Sequence, residues 1–449
     1  MSSGVFSVTL MCVRAQCVSG QNEIKLPSKP SRVYEKNIRD VTWAINQEHE
    51  GQAVMQSIKL YLAILFTLIL AACGGGGGGT TDTTLPKISA VSPATNVIAT
   101  GKLNDTGQTA SQCYRAGSDV LTNCDSLAMA LNNAQDGMVG RDANLSTNSN
   151  SDGKLGFSFT KVSGGCVLDN VTGLTWEGKT TDGGLRDYSK TYTNYSPTYD
   201  PSHLYGTSTD ASGFVKAVNA SNLCGYSDWR LPTADELQSI VDYSVALPGP
   251  AIDASVFPAT PNDEFWSGSG DIINKNFAWS VSFKYGDGGP LSRDLKYYVR
   301  LVRASPSPAT PARYTLSTDG QEVTDIQTNL IWRRCPEGMV ASGGACTGNA
   351  ITFTHEQALQ RATAQAASTG TAWRLPNIKE LSSIADKNNS SPAIDQIAFP
   401  TTPSNDFWSA SPGVGVGLGL ACGVSFADGG FGYGGRANSN YVRLVRTAQ

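Results

Sequence analysis

Histidine, the side chain most often used for proton transfer near neutral pH, is scarce in this chain of 449 residues. Beyond residue 72 only His203 and His355 occur, so a Ser-His-Asp triad or a histidine-rich metal centre is poorly supplied. His355 follows Thr354, a predicted helix N-cap, and we expect its ring to be exposed in the first helical turn. The scarcity favours a binding or structural protein, and we expect no enzymatic activity.

Aromatic residues on polar loops could bind a ligand. One segment of the first half of the chain is rich in Tyr among Thr, Ser, Asn and Asp, and such amphipathic rings suit sugar stacking or protein contact. Two glycine-rich stretches, 413–419 and 429–435, carry a smaller set, for which a surface loop without function is the alternative. The candidate ligand-binding residues are Tyr188, Tyr192, Tyr195, Tyr199 and Tyr205, followed by Phe431, Tyr433 and Arg436.

Four aspartates could bind Ca²⁺, which takes six to eight oxygen ligands. They are Asp253 and Asp395, and Asp287 and Asp428, which stand at matching places in two similar stretches of the chain. Asp287 and Asp428 each precede paired glycines, which is ordinary turn composition. Turn and capping roles are therefore the alternative to calcium, and no other cofactor is implied.

The elements that position these side chains are duplicated. Trp-Arg-Leu-Pro at 229–232, Phe-Trp-Ser at 265–267 and Tyr-Val-Arg-Leu-Val-Arg at 298–303 recur at 373–376, 407–409 and 441–446, with offsets of 144, 142 and 143 residues. Such a repeat indicates a tandem domain duplication. A matching upstream part lies at an offset of 156, so the first copy carries a 12-residue insertion. Residues found in both copies serve the shared fold, whereas residues found in one copy are candidates for function.

The duplication also helps to pair the cysteines, since an exported chain can form disulfides. Cys166 and Cys224 correspond to Glu322 and Ser368, so the first copy has both cysteines and the second has neither. Joint presence and joint absence favour a Cys166–Cys224 bridge. Local bridges are expected for Cys113 with Cys124 and for Cys335 with Cys346, which leaves Cys422 as a buried thiol or an intermolecular contact. Metal ligation is the alternative, although no Cys-x-x-Cys pair occurs.

Two helices can be predicted in each copy. In the first, an amphipathic stretch follows Asp210, and Thr233 with Glu236 forms a capping box that begins the second helix. In the second copy, Thr354 with Gln357 and Asn377 with Glu380 begin the corresponding helices. The other repeated words are short β-prone runs between Gly- and Asn-rich turns. Two short helices on a small, irregular antiparallel sheet make each copy an α+β domain.

An export signal is predicted near the start of the chain. Residues 60–72 are apolar but too short to span a bilayer, and Leu-Ala-Ala-Cys at 70–73 resembles a bacterial lipobox. The resemblance implies that Cys73 is the lipid-modified first residue of the mature protein, anchored in the outer membrane or at the cell surface. A plain secretory signal with a chance cysteine is the alternative.

These features predict seven segments along the chain. Net charge is −4, which argues against nucleic acid as a partner because nucleic-acid-binding proteins usually carry a basic stripe. The expected segments are an upstream extension outside the true start (1–54), a lipoprotein signal peptide (55–72), a Gly/Thr-rich tether (73–99), a loop-rich lead-in (100–165), a first domain (166–303), a Pro-rich linker (304–312) and a second domain (313–449).

The ordered set of repeated words resembles the DUF1566 family, also called the Lcl C-terminal domain family after a bacterial collagen-like adhesin. More distantly, Arg-Leu-Pro-Thr-x-x-Glu at 230–236 resembles formylglycine-generating-enzyme-like proteins, and this implies a C-type-lectin-like fold for both copies. Those enzymes use a reactive cysteine pair late in the domain. This chain offers only Cys422 there, which argues against the same activity.

The resemblance implies an exported, lipid-anchored surface protein that recognises a polysaccharide or glycosaminoglycan. The acidic balance weakens the sulfated-glycan version, because such ligands prefer clustered Lys and Arg. A structural or assembly lipoprotein that contacts other envelope proteins is the alternative.

Overall fold

The structure is a computed structural model, and it describes residues 103–139, 156–304 and 312–447. The predicted extension, signal peptide, lipidation site Cys73 and tether lie outside the described residues, as do parts of the lead-in and linker. We refer to residues 166–303 as the first copy and to residues 313–449 as the second copy.

Helices occur where the capping patterns predict them. Capping boxes at Thr233/Glu236, Thr354/Gln357 and Asn377/Glu380 are all present. Each copy contributes two helices, which confirms the prediction. The helices of the described ranges are α1 Ser126–Leu131 in the lead-in, α2 Ala211–Ala220 and α3 Ala234–Ser239 in the first copy, and α4 His355–Thr369 and α5 Ile378–Ser383 in the second.

Each copy has its own four-stranded antiparallel sheet around a fully buried tryptophan, Trp176 or Trp332. In the first copy, the strand order is β1-β2-β3-β7, and in the second it is β18-β10-β9-β8. The strands are β1 Phe159–Val162, β2 Cys166–Asp169, β3 Leu174–Glu177, β7 Val302–Ala304, β8 Tyr314–Leu316, β9 Glu322–Asp325, β10 Leu330–Arg333 and β18 Val445–Thr447.

A larger sheet is shared by the two copies. Its eight strands run in the order β13-β17-β14-β15-β16-β6-β5-β4, and β11 and β12 form a separate two-stranded ribbon in the second copy. The α+β class with two tandem domains is confirmed, and the shared sheet makes them one continuous structure. The strands are β4 Glu264–Gly270, β5 Phe277–Ser282, β6 Gly288–Ser292, β11 Met339–Ser342, β12 Ala345–Gly348, β13 Thr352–Phe353, β14 Asp406–Pro412, β15 Leu420–Ser425, β16 Phe431–Gly435 and β17 Asn440–Tyr441.

The junction of the shared sheet lies on an approximate two-fold axis. Outward from the junction the order is β16, β15, β14 on one side and β6, β5, β4, their counterparts, on the other. Phe431 of β16 pairs with Gly288 of β6. These two residues are structural equivalents, because Phe431 also pairs with Val424 as Gly288 pairs with Val281. The two copies therefore meet through the same face of each, as subunits do in a symmetric dimer.

The core is continuous across this junction. One cluster of buried side chains includes Phe257 and Phe283 of the first copy together with Phe399 and Phe426 of the second. The lead-in also spans both copies: the Gln108 amide donates to the carbonyl oxygens of Tyr243 (3.2 Å) and Pro412 (3.0 Å). These contacts make the lead-in a clamp across the two copies.

All three predicted disulfides form. Cys113–Cys124 lies in the lead-in, Cys166–Cys224 lies in the first copy, and Cys335–Cys346 closes the loop that carries the β11-β12 ribbon. Cys422 is a buried free thiol, which is one of the two predicted alternatives. Burial raises the pKa of this thiol well above its usual range.

Candidate functional site

The most prominent word shared by the copies has a structural role. Arg230 and Glu236 form a two-pronged ion pair at 2.6 and 2.7 Å, and Glu236 also accepts from the backbone N–H of Thr233 at the start of α3. Arg374 and Glu380 repeat the arrangement with both bonds at 2.7 Å. A bidentate guanidinium–carboxylate pair fixes geometry strongly. The Trp-Arg-Leu-Pro words therefore anchor a helix start in each copy.

The first arginine of each repeated Tyr-Val-Arg-Leu-Val-Arg word also has a structural role. Arg300 is fully buried and donates to the carbonyl of Glu177 (2.8 Å) and the hydroxyl of Thr260 (2.7 Å). Arg443, its counterpart, is also fully buried and donates to Thr402 at 2.7 Å. These internal hydrogen bonds remove both arginines from any ligand surface.

An open groove forms on the first copy, where the tyrosine-rich segment meets the hairpins of the shared sheet. Its volume is about 640 Å³, and we call it the tyrosine groove. Tyr195 and Tyr199 line it on one side. The opposite side comes from the ends of β5 and β6, which sequence reasoning did not select. The lining residues are Tyr195, Thr198, Tyr199, Asp200, Pro201, Ser202, Asn276, Ser292, Arg293 and Asp294.

A sequence signal for the opposite wall existed. Asn276 and Asp294 fall between the shared words and correspond to Gly419 and Ala437 of the second copy, whereas Arg293 corresponds to Arg436. Asn276 and Asp294 therefore belong to the copy-specific class of residues that the duplication marks as candidates for function. Only their spatial approach to Tyr199 required the structure.

The cations at the tyrosine groove are already engaged. The Lys275 ammonium lies 5.2 Å from the centre of the Tyr199 ring, and Arg293 donates to the carbonyl oxygens of Lys275 (3.0 Å) and Asn194 (2.8 Å). Desolvation lowers the pKa of Arg293. Asp294 is exposed. The groove therefore offers aromatic faces, hydroxyls, an amide and carboxylates, and little free positive charge.

The other tyrosines of the segment lie elsewhere. Tyr192 is 5% exposed and its ring stacks on Phe214 at 4.8 Å, so its selection as a ligand-binding residue is corrected to a core role. Tyr188 is 41% exposed but does not line the groove. Tyr205 is partly buried, and its N–H donates to Asp200 at 2.7 Å, which helps to shape the loop.

The second set of candidate ligand-binding residues, Phe431, Tyr433 and Arg436, is also corrected. These side chains pack against other parts of the chain. Phe431 is 4% exposed in the shared core, and the Tyr433 hydroxyl donates to the Tyr285 carbonyl of the first copy at 2.6 Å. Arg436 is 5% exposed and lies over the Tyr114 ring at 3.7 Å, paired with Asp119 of the lead-in. The glycine-rich stretches thus form contacts between copies and do not contribute to the tyrosine groove.

His355 is fully buried, and the expectation that it is exposed is wrong. Its ring packs edge-on against Tyr114 and Trp408, and its Nε2 bonds the Ser409 carbonyl at 3.0 Å. Burial, and to a lesser degree the Arg436 guanidinium, lowers the pKa of His355 to about 3. The lead-in, packed over the helix start, covers the side chain that the helix alone would expose.

A short stretch of the first copy matches a phosphate-binding motif in sequence but not in structure. Residues 173–180 match the letters of a phosphate-binding P-loop, Gly-x-x-x-x-Gly-Lys-Thr. Strand β3 occupies the middle of this stretch, and the Lys179 ammonium is buried and paired with Glu177 at 2.9 Å. A P-loop needs a loop that opens a helix, so this match has no phosphate-binding geometry.

The candidate calcium ligands make turn contacts. Asp253 accepts from Ser255, and Asp395 accepts from the N–H groups of Ile397 and Ala398. The predicted equivalence of Asp287 and Asp428 is wrong. In the first copy the Ser282 N–H donates to the Asp287 carbonyl, and in the second copy the equivalent Ser425 N–H donates to the Gly430 carbonyl. Gly430 is therefore the counterpart of Asp287. Among residues 103–139, 156–304 and 312–447, no group of three or more His, Cys, Asp or Glu side chains could hold a metal ion.

In the part of the chain that the structure describes, no helix has the length and apolar character needed to cross a membrane. A family model for the Lcl C-terminal domain matches residues 165–303 and 321–446, which together exceed half of the chain. No curated protein matches the chain. The family match is consistent with a surface or secreted protein, and it shows that this chain belongs to the Lcl C-terminal domain family, with two copies of the domain in tandem.

Proposed function

We propose that this protein is an exported, lipid-anchored surface protein that binds polysaccharide through the tyrosine groove. The observation that carries the proposal is the pairing of Tyr195 and Tyr199 with the polar wall formed by Asn276 and Asp294. Aromatic faces beside planar hydrogen-bonding groups suit a sugar ring, whose apolar face stacks while its hydroxyls bond. The groove is open, as a site for part of a long polymer must be.

The charges at the groove favour an uncharged polysaccharide over a sulfated glycosaminoglycan. Sulfate groups are bound by clustered Lys and Arg with free donors. Here Lys275 lies on Tyr199, Arg293 is bonded to backbone carbonyls, and Asp294 adds negative charge.

A polysaccharide-binding screen tests the proposal. The probe protein is Ser92–Gln449, which forms one compact unit. Binding to an immobilised array of neutral and sulfated polysaccharides is compared for the wild type, Tyr199→Ala and Tyr188→Ala. We expect retention on at least one neutral polysaccharide, a loss of at least tenfold in affinity for Tyr199→Ala, and little change for Tyr188→Ala, whose exposed ring lies outside the groove.

Binding to no polysaccharide on the array, with loss of a cell-surface complex when the protein is deleted, would instead favour the alternative role in envelope assembly. The anchor is tested separately. Cys73→Ser is expected to abolish incorporation of labelled palmitate, and continued labelling would remove lipidation at Cys73 from the proposal.

A further inference from the structure

Each copy has an arginine at the same place beside the shared sheet. Arg293 directly follows strand β6, and Arg436 directly follows strand β16. Their backbone N–H groups donate to the carbonyls of equivalent residues, Asn276 at 3.0 Å and Gly419 at 2.8 Å. Because the two arginines are structural equivalents, the segments that they contact can be compared directly between the copies.

The chain reaches both arginines along the same path and then diverges. The Asn194 N–H donates to the Arg293 carbonyl, and the His355 N–H donates to the Arg436 carbonyl, both at 2.9 Å. In the second copy, helix α4 begins at His355 itself, whereas the first copy inserts residues 194–210 before helix α2 begins. The inserted residues form the tyrosine side of the tyrosine groove.

In the second copy, the lead-in takes the place of this inserted segment. The Arg293 guanidinium donates to the Asn194 carbonyl at 2.8 Å. The Arg436 guanidinium donates in the same way to the Ser118 carbonyl of the lead-in at 2.7 Å, and it lies over the Tyr114 ring. An arginine at this place therefore fastens whichever segment covers the end of the hairpin.

Arg293 also reaches the opposite side of the tyrosine groove. Its Nε donates to the Lys275 carbonyl at 3.0 Å, next to Asn276, which lines that side. One guanidinium thus joins the tyrosine side, at Asn194, to the side formed by the ends of β5 and β6. The planar guanidinium carries its donors in fixed directions, so it can hold two carbonyls at a constant separation.

We propose that Arg293 is a positioning residue of the tyrosine groove, an inference that rests on the proposed binding of polysaccharide there. Arg293 acts through the two sides that it joins, since its Nε and one terminal nitrogen are directed to backbone carbonyls. With the two sides held at a fixed separation, less conformational entropy is lost when a sugar binds between them. Loss of the link would leave the ring of Tyr199 in place on its loop but no longer fixed against Asn276.

Polysaccharide binding and hydrogen–deuterium exchange on Ser92–Gln449 test this role. Arg293→Met removes every donor and keeps the apolar stem, whereas Arg293→Lys keeps one nitrogen and part of the link. Arg436→Met is the matched control, because it makes the same change at the equivalent place in the second copy. The probes are the neutral polysaccharides dextran, laminarin and galactomannan. Exchange is followed at amides 194–205 and at amides 113–124 of the lead-in, with and without polysaccharide.

We expect Arg293→Met to bind at least fivefold more weakly than the wild type, Arg293→Lys to be intermediate, and Arg436→Met to bind as the wild type does. Exchange at amides 194–205 should be at least tenfold faster in Arg293→Met, and bound polysaccharide should restore the protection of these amides. Arg436→Met should instead speed exchange at amides 113–124. A general loss of stability would not separate the two segments in this way.

The proposal is overturned if Arg293→Met binds as tightly as the wild type, or if it leaves exchange at amides 194–205 unchanged. It is also overturned if Arg436→Met weakens binding as much as Arg293→Met does, because binding would then follow overall stability. If the wild type binds none of the polysaccharides while Arg293→Met still speeds exchange at amides 194–205, the proposed function fails and the link between the two sides stands.

Discussion

Gln238 and Ser382 stand at the same position in the two copies, and their side chains hydrogen-bond to each other at 3.1 Å. Contact between equivalent residues occurs on a two-fold axis. Gln238 also donates to the Tyr243 hydroxyl at 3.0 Å, whereas its partner is a short serine, so the contact is symmetric in position and asymmetric in chemistry. The duplication therefore produced an internal dimer whose two halves could then diverge.

The junction of the shared sheet gives a direct test of this internal dimer. A Cβ at Gly288 would lie 2.4 Å from Phe431 Cζ and 2.9 Å from the Ser280 carbonyl oxygen. Gly288→Ala is therefore expected to overpack the junction and to lower the free energy of unfolding by about 1–3 kcal/mol. Urea denaturation followed by tryptophan fluorescence measures the change.

The neighbouring glycine supplies the control. A Cβ at Gly289 would have no heavy atom within 4 Å, so Gly289→Ala should change the free energy of unfolding by less than about 0.5 kcal/mol. Equal effects of the two substitutions would mean that the strand itself, and not the contact with Phe431, requires glycine.

The disulfides are expected to stabilise the protein unequally. Cys166–Cys224 closes a separation of 58 residues, whereas Cys335–Cys346 closes one of 11. In the chain-entropy account, the longer loop contributes about 4 kcal/mol and the shorter about 3 kcal/mol. Replacing both cysteines of a pair by alanine should therefore lower the melting temperature more for Cys166/Cys224. Calorimetry on the two double variants measures the difference.

Cys422→Ala provides the comparison for these variants, because it removes a buried thiol and no crosslink. If the Cys335/Cys346 variant melts at the lower temperature, loop length does not control the contribution of these bridges. The effect of that bridge would then come from its contacts in the folded state.

Features that depend on neighbouring residues could be predicted from the sequence. The capping boxes, such as Thr354 with Gln357, involve residues three apart, and the Cys166–Cys224 bridge followed from comparing two aligned copies. Tyr195 and Tyr199 are predicted as ligand-binding residues because amphipathic rings in a polar segment suit sugar stacking or protein contact. Each of these inferences uses information within a short stretch or between equivalent positions.

Features that depend on contact between the copies could not be predicted in this way. Phe431 belongs to a glycine-rich stretch typical of a surface loop, and only its pairing with Gly288 buries it. His355 was expected to be exposed because its helix has a polar N-terminus, yet Tyr114 of the lead-in, 241 residues earlier, covers it. Burial at these sites is a property of packing between distant segments, and sequence periodicity carries no record of it.

The burial of His355 predicts a specific pH dependence. Its pKa falls from 6.5 to about 3 on folding, so the unfolded chain binds a proton between these values and the folded protein does not. The stability that His355 contributes is complete above pH 6.5 and is lost at up to about 1.4 kcal/mol per pH unit as the pH falls. His355→Gln should be less stable than the wild type at pH 7, and the gap should narrow between pH 6.5 and pH 4.

The comparison must use the difference between wild type and variant, because Asp136 titrates in the same window with the opposite sign. Burial, assisted by Asp105, raises the pKa of Asp136 from 3.8 to about 7, so its contribution is present at low pH and is lost as the pH rises. Subtracting the two unfolding curves removes this effect. His203→Gln, the same substitution at an exposed histidine, serves as the control. A gap for His355→Gln that stays constant from pH 7 to pH 4 would show that His355 accepts a proton without unfolding, and that its burial does not set the acid sensitivity of the protein.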